Sequence, residues 1–517
     1  MNFNRFPKTE TIRTTSYTMK NSIKSLILTG VVCLMQSCTD DFEKINTPPT
    51  SVTTIDAGLI LSKAQKDAAF AEGLEIPNSQ YGSWIQQWAG GAVVSSSRYV
   101  EQSDNNVWDA HYTLIRNLAQ IRTDILKGKE TDPSGRTKLA IAKIVEISVW
   151  QRLTDLFGDI PFSETALGST DVNNKPKFDT QESVYKTLIT DLDAAIGQLN
   201  ASDASYGTAD FYFKGDVTKW KKYGNSLKLR LGMRIRYADA TLAQKTITEA
   251  MGQPLLESNT DNATIPTYNN ATNANVHPLL NQWLTGSSDL RYLANTLVSQ
   301  LATTSDPRLP FIAQPSVNSV KAGAPSYKGM GVALTDALLK ALVKDDYSTA
   351  SQSTFFNKDY SPAIPCIVMS FSDVSFYKAE AALEGWGATA DQAESFYQAG
   401  VKAALAQAPF NIATVPATFS KELSFTDLSK EQKLQKIGTQ KWIQLFGRSY
   451  EAFTEWRRMG YPLLTPGPNV GSTAGTIPRR TIYSSREALL NETNYKDAVS
   501  KLSKGDSYIS KIWWDKK

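Results

Sequence analysis

Residues 372–407 read SDVSFYKAEAALEGWGATADQAESFYQAGVKAALAQ, and this run carries the architecture. Apolar residues recur at helical spacing over 372–384 and again over 391–407. Between the two lies Gly385-Trp386-Gly387, a break that no helix runs through without cost. Ala379 and Ala382 on the first stretch, and Ala399 and Ala403 on the second, put small side chains where two antiparallel helices would meet. The expectation is a helical hairpin with a close interface.

The same reading extends outward along the chain. Residues 139–155 (LAIAKIVEISVWQRLTD) are apolar on most sides and predict a buried central helix, ended by Gly158 and Pro161. Residues 183–199 place Val184, Leu188, Leu192, Ile196 and Leu199 at helical spacing, and residues 217–237 do the same with Trp220, Leu227, Leu231 and Ile235. Strand signals are sparse. The 372–407 pair is similar to a tetratricopeptide unit, but the roughly 34-residue period of such arrays does not repeat. The expected class is therefore mainly α, built of tetratricopeptide-like helix pairs with long irregular loop insertions. Those insertions are 89–107, 258–278, 313–327 and 463–480, all polar and rich in Gly, Pro or Asn. Long loops on a rigid scaffold are where binding residues gather.

Composition excludes several chemistries. The chain has 517 residues, 41% hydrophobic and 21% charged, as in an ordinary globular protein. Its only histidines are His111 and His277, so neither a histidine-rich metal site nor an H-E-x-x-H protease can be assembled. No Walker A, G-x-G-x-x-G, G-x-S-x-G or Cys-x-x-Cys sequence occurs. The net charge of +4 would suggest an anionic partner, but all of it lies in residues 1–37, where Arg5, Lys8, Arg13, Lys20 and Lys24 face only Glu10. The rest of the chain is balanced, so no nucleic-acid partner is expected, and the Lys219-Trp220-Lys221-Lys222 cluster reads as a solvated helix face.

The front segment has a separate purpose. A basic stretch over 19–24, an apolar run over 26–35 and then Gln36-Ser37-Cys38 follow the order of a secretory signal, with translation starting at Met19. Leu34-Met35-Gln36-Ser37-Cys38 resembles a bacterial lipobox, which makes Cys38 the expected lipidation site. Asp40, Asp41 and Glu43, followed by a Pro/Thr-rich stretch, read as a solvated tether. The organisation expected is a cleaved signal at 1–37, a lipidated tether at 38–55 and a binding domain at 56–517. With Cys33 removed and Cys38 acylated, Cys366 has no partner for an intramolecular disulfide.

Aromatic residues make up 10% of the chain, 11 of them Trp. Flat aromatic faces with amides and Arg nearby suit sugar rings, so aromatics in the polar loops are the binding candidates. Trp88 shares a predicted helix face with Trp84, ending at Gly90-Gly91, and both also fit a core role. Arg98 and Tyr99 follow in the polar loop. Tyr268, Trp283 and Tyr292 flank the Asn-rich insertion. Trp108 and Tyr112, one turn apart, read as core. Glu451 and Glu455 have the spacing of a carboxylate pair, but Arg448, Arg457 and Arg458 on the same helix would hold both ionised, which removes a general acid. No catalytic residue, metal ligand or cofactor is expected.

Five segments in order resemble the SusD/RagB family of outer-membrane nutrient-binding lipoproteins: 38–46 (CTDDFEKIN), 153–166 (LTDLFGDIPFSETA), 215–236 (GDVTKWKKYGNSLKLRLGMRIR), 375–386 (SFYKAEAALEGW) and 437–462 (IGTQKWIQLFGRSYEAFTEWRRMGYP). The resemblance implies a single compact α-rich body that is lipid-anchored at the cell surface of the outer membrane. It also implies docking on a TonB-dependent transporter barrel of the SusC type, and capture of a glycan, or alternatively a peptide, by the loop-rich part. A surface glycoside hydrolase is the alternative from another class. The family's ligand contacts lie in variable loops, and no motif in this chain fixes them position by position.

Overall fold

Asp132 starts the longest helix: its carboxylate accepts from the Gly135 amide at 3.1 Å, Pro133 occupies the first turn, and the helix runs Pro133–Phe157 until Gly158 turns away at φ 87°. A computed structural model describes residues 56–71, 78–90, 98–165, 173–268, 275–279, 292–356 and 364–517. The expected signal, Cys38, the tether and Trp283 lie outside them. Among the described residues the helices of nine residues or more are α1 (Ala57–Phe70), α2 (Asn105–Gln120), α3 (Pro133–Phe157), α4 (Gln181–Gln198), α5 (Val217–Ile235), α6 (Ala240–Met251), α7 (Asn295–Thr303), α8 (Phe371–Glu384), α9 (Ala393–Ala406), α10 (Lys430–Gln444), α11 (Ser449–Met459) and α12 (Glu492–Ser500). The chain from Asp56 to Lys517 gathers into one unit.

The expected pair is α8 and α9. Ser370 and Asp373 form a capping box at the start of α8, and Gly385 closes it in the left-handed conformation at φ 73°. Asp391 and Gln392, expected as helix, belong to a 3₁₀ turn (Ala390–Gln392), and α9 begins at Ala393. The small-residue interface is present: a Cβ on Gly400 would lie 2.9 Å from the Phe376 ring, and Ser372 Oγ donates to the Gly400 carbonyl at 2.8 Å. Phe376, Ala379, Ala382, Tyr397, Val401, Ile437 and Met459 form the core of this region. Residues 437–462 divide into the end of α10 and α11, with the Leu445–Arg448 turn between them.

Buried charges link the two halves. Arg234 on α5 is fully enclosed and bonds Glu455 at 2.5 Å and Glu451 at 2.7 Å, with Asp155 of α3 at 3.2 Å. Lys441 of α10 reaches Glu455 at 2.6 Å, and Arg458 joins Glu455 at 2.7 Å to Glu380 of α8. Arg236 adds a second cation on Glu380. Five helices thus share one charge-compensated lattice, which fixes their register because removing any member leaves its partner buried and unpaired.

Strands are short, as expected: β1 (Trp88–Ala89) pairs with β5 (Tyr292–Leu293), β2 (Ile160–Pro161) with β3 (Phe178–Asp179), and β4 (Ala263–Ile265) with β6 (Cys366–Met369), all antiparallel. Of these six strands, β1 overlaps the 89–107 insertion and β4 lies within the 258–278 insertion. The 313–327 insertion also contains a short helix, Val317–Lys321, which its Gly- and Pro-rich ends conceal.

Candidate ligand-binding site

The β4–β6 pair sets one wall of a cavity of about 70 Å³. Ile265 faces Cys366 across the ladder, and beyond it Thr267 Oγ1 donates to the Ile364 carbonyl. The Tyr268 amide donates to the Asn275 carbonyl at 2.9 Å and Tyr268 bridges Val276, just ahead of His277 and Leu279, which line the same cavity. The α10–α11 turn contributes Gln444, Phe446 and Arg448, the end of α9 contributes Gln407, and Phe355 and Ile364 complete the apolar lining. Gln407 and Gln444 are both buried, and the side-chain carbonyl oxygen of each has no hydrogen-bond partner. Arg448 is held by Asp373 at 2.9 Å and by the Val368 carbonyl at 2.8 Å. Burial pushes His277 down to about 4, so its imidazole is neutral at neutral pH.

The structure distributes the sequence-predicted residues unevenly. Trp84 and Trp88 do not share a helix face: the helical turn ends before Gln86, which takes φ 57°, and Trp88 lies in β1. The reason is pairing with β5, which captures Trp88 opposite Leu293 and Ala89 opposite Tyr292. Trp88 is 1% exposed and stacks on Phe446 with ring centres 4.8 Å apart, so it backs a cavity-lining ring rather than presenting a face of its own. Trp84 is core, edge-on to Tyr81, Phe453 and Tyr508. Tyr268 is 47% exposed and is not among the residues that line the cavity, although its neighbour Thr267 bonds the cavity-lining Ile364. Tyr292 is half-buried and packs with Tyr347 against Ala89, Ala294 and Met330.

Arg98 and Tyr99 belong to a neighbouring loop contact. Arg98 Nη2 lies 2.7 Å from Asp336 Oδ1, and Tyr99, at φ 58°, is wholly enclosed. Gly471 crosses so tightly that a Cβ there would lie 2.6 Å from the Arg98 carbonyl, which ties the 463–480 insertion to this loop. Burial pushes the Tyr99 phenol up, keeping it protonated. Of these candidates the structure encloses Trp88, Arg98 and Tyr99, leaves Tyr292 half-buried and exposes Tyr268. Sequence reasoning missed Phe446, Phe355, Gln407 and Gln444. The Leu445-Phe446-Gly447 break between two helices, with Gly447 at φ 81°, was the available signal for Phe446.

The carboxylate pair belongs to the buried lattice. Burial alone would raise both groups, but Arg234 and Arg230 outweigh it and hold Glu451 at about 2. Arg458, Lys441 and Arg234 hold Glu455 well below its usual range. Of the arginines expected to pair with them, only Arg458 does. Arg448 serves Asp373, and Arg457 donates to the Asp155 and Arg479 carbonyls at 2.7 and 2.8 Å. Trp220 of the lysine cluster points inward, its indole N–H donating to Asp210 at 2.7 Å. Trp108 is buried as expected, edge-on to Phe157, and Tyr112 packs half-buried beside it. Among the described residues no group of three or more His, Cys, Asp or Glu is arranged to hold a metal ion, and no helix is long and apolar enough to cross a membrane.

Comparison with known proteins places this architecture. A solved structure described as a chitin-binding protein is 28% identical, with a TM-score of 0.75, over 89% of this chain and 99% of its own. A chitin-binding SusD homolog from Flavobacterium johnsoniae, 23% identical, shares the fold with a TM-score of 0.72 over 89% of this chain and 99% of its own. A SusD homolog from Bacteroides uniformis does so at 23% identity and 0.72, over 90% and 100%. No curated protein matches the chain. The sequence model of one family, described as starch-binding and associating with the outer membrane, matches residues 49–484, and the chain belongs to that SusD-like family.

Proposed function

We propose that this protein is a non-catalytic lipoprotein of the cell surface that captures a glycan and delivers it to a TonB-dependent outer-membrane transporter of the SusC type. The observation that carries the reading is membership in a family described as starch-binding and associating with the outer membrane, together with an amide- and aromatic-lined cavity. Tyr268, Tyr292 and Trp283 are the proposed ligand contacts. Trp88 supports them through Phe446, and Arg98 with Tyr99 orders the adjoining loop. The relatives described as chitin-binding favour a glycan over the peptide alternative. Against a surface glycoside hydrolase stands the engagement of Glu451 and Glu455 by four cations, which leaves neither carboxyl protonated to serve as an acid. Cys38 is the proposed anchor, and no cofactor is invoked.

The test is isolation of the full chain from membranes in mild detergent, followed by a binding screen against soluble glycans and peptides. Glycan binding without hydrolysis, with a large barrel co-isolating, is the expected result. Turnover of reducing ends that survives extensive purification, or binding of peptides alone, overturns it.

A further inference from the structure

The cavity described above is too small for a sugar ring. At about 70 Å³ it has room for roughly five waters, since each needs about 10–15 Å³ of such volume. A hexose has more than twice that many heavy atoms. What the cavity can take is one substituent projecting from a ring that rests outside, against the half-buried rim formed by Pro365, Ala408 and Pro409.

The chemistry of the walls narrows the substituent. Phe355, Ile364, Phe446 and Leu279 form an apolar part that rewards a methyl or methylene group and leaves a lone hydroxyl without cover. Gln407 and Gln444 form the polar part, and each has a buried carbonyl oxygen lacking a donor, a costly condition that an incoming N–H relieves. An anionic group is disfavoured because the Arg448 guanidinium is already engaged by Asp373 and the Val368 carbonyl, and His277 is neutral. A compact, uncharged group with a methyl at one end and an N–H at the other meets these demands together.

We infer that this cavity is a subsite for the acetamido substituent of an N-acetylated hexosamine, with the methyl among Phe355, Phe446 and Ile364 and the N–H donating to the Gln407 side-chain carbonyl oxygen. This inference rests on the glycan reading above and selects within it, since starch carries no acetamido group. The sugar ring itself lies outside, against the rim of Pro365, Ala408 and Pro409.

The test uses the detergent-solubilised full chain and calorimetric titration with three probes: N-acetylated chito-oligosaccharides, cello-oligosaccharides, which share the linkage but carry a hydroxyl in place of the acetamido group, and malto-oligosaccharides. The expected result is at least a tenfold preference for the N-acetylated probe. Gln407→Leu, which keeps the side-chain volume and removes the amide, reduces that preference to less than threefold. Ala69→Leu, which fills the cavity from α1, does the same, and thermal unfolding of each variant verifies that it folds. Equal binding of the N-acetylated and cello probes, a preference for malto-oligosaccharides, or an acetamido preference untouched by Gln407→Leu overturns the subsite and leaves the glycan reading in place. Binding of none of the three, with peptides bound instead, overturns both.

Discussion

Trp88 and Phe446, 358 positions apart in sequence, stack with ring centres 4.8 Å apart and planes 25° from parallel. Phe446 faces the cavity and Trp88 fixes its orientation from behind, while β1–β5 pairing holds Trp88. Trp88→Ala is therefore expected to lose about 3–5 kcal/mol of stability, as large-to-small changes at buried aromatics do, and to weaken glycan binding as Phe446 loses its support. Trp88→Phe keeps much of both. Urea unfolding and titration of the same samples check this; an alanine variant of full stability would show that the stack carries no load.

Tyr268→Ala gives the opposite balance. The ring is 47% exposed and its backbone is held by the Asn275 hydrogen bond whatever the side chain, so unfolding should move by less than about 0.5 kcal/mol. Ligand affinity is expected to fall about tenfold, the value of one lost stacking contact at a largely desolvated face. Unchanged affinity in a folded variant would move the contact surface away from Tyr268.

These two residues also show how far sequence reaches. The helices read from the sequence were legible by their apolar period and their glycine stops: Gly158 ends α3, which Asp132 caps and which begins at Pro133, ahead of the expected 139, and Gly385 ends α8, which Ser370 caps. Trp88 was misassigned to a helix because its partner strand lies about 200 residues away, and two-residue strands leave no periodicity to detect. The cavity was invisible for the same reason. Gln407, Gln444, Phe355 and His277 come from four separate parts of the chain, and only the folded ladder of β4 and β6 brings them together. Arg98 and Tyr99 were chosen for their polar loop, yet Gly471 covers them from a distance of more than 370 residues along the chain.

Glu455→Gln tests the buried lattice. Glu455 compensates Arg234, Lys441 and Arg458 at 2.5, 2.6 and 2.7 Å, and neutralising it leaves three cations with too few anions where water does not reach. A loss of about 3–5 kcal/mol is expected, with no new catalytic defect because no catalysis is proposed. Chemical denaturation measures it. A variant as stable as the parent would mean that Glu451 and Glu380 suffice to compensate all three.

His111→Gln is expected to change the pH dependence of stability. His111 is enclosed, Nδ1 lies 2.7 Å from the Val107 carbonyl, and burial with some help from Arg152 holds the ring at about 3 against an ordinary 6.5. A depressed imidazole contributes stability that is fully present above about pH 6.5 and is lost as the pH falls toward 3, at about 1.4 kcal/mol per pH unit. His277, at about 4, acts in the same direction. Asp155 opposes them: burial raises it to about 6, so between pH 6 and its ordinary 3.8 the fold takes up a proton that the unfolded chain does not, and gains stability. Asp104, Asp159 and Glu487, also raised by burial, act with Asp155. The comparison isolates His111: between pH 6 and 4 the variant is expected to lose about 1.4 kcal/mol per pH unit less than the parent. Below about 4.5 both proteins lose further stability together, because Glu380 and Glu451, each held near 2 by arginines, stay ionised in the fold while the unfolded chain takes up protons at them. Urea midpoints measured from pH 7 to 4 check the difference: a slope in His111→Gln equal to that of the parent would show that His111 is not the group that titrates.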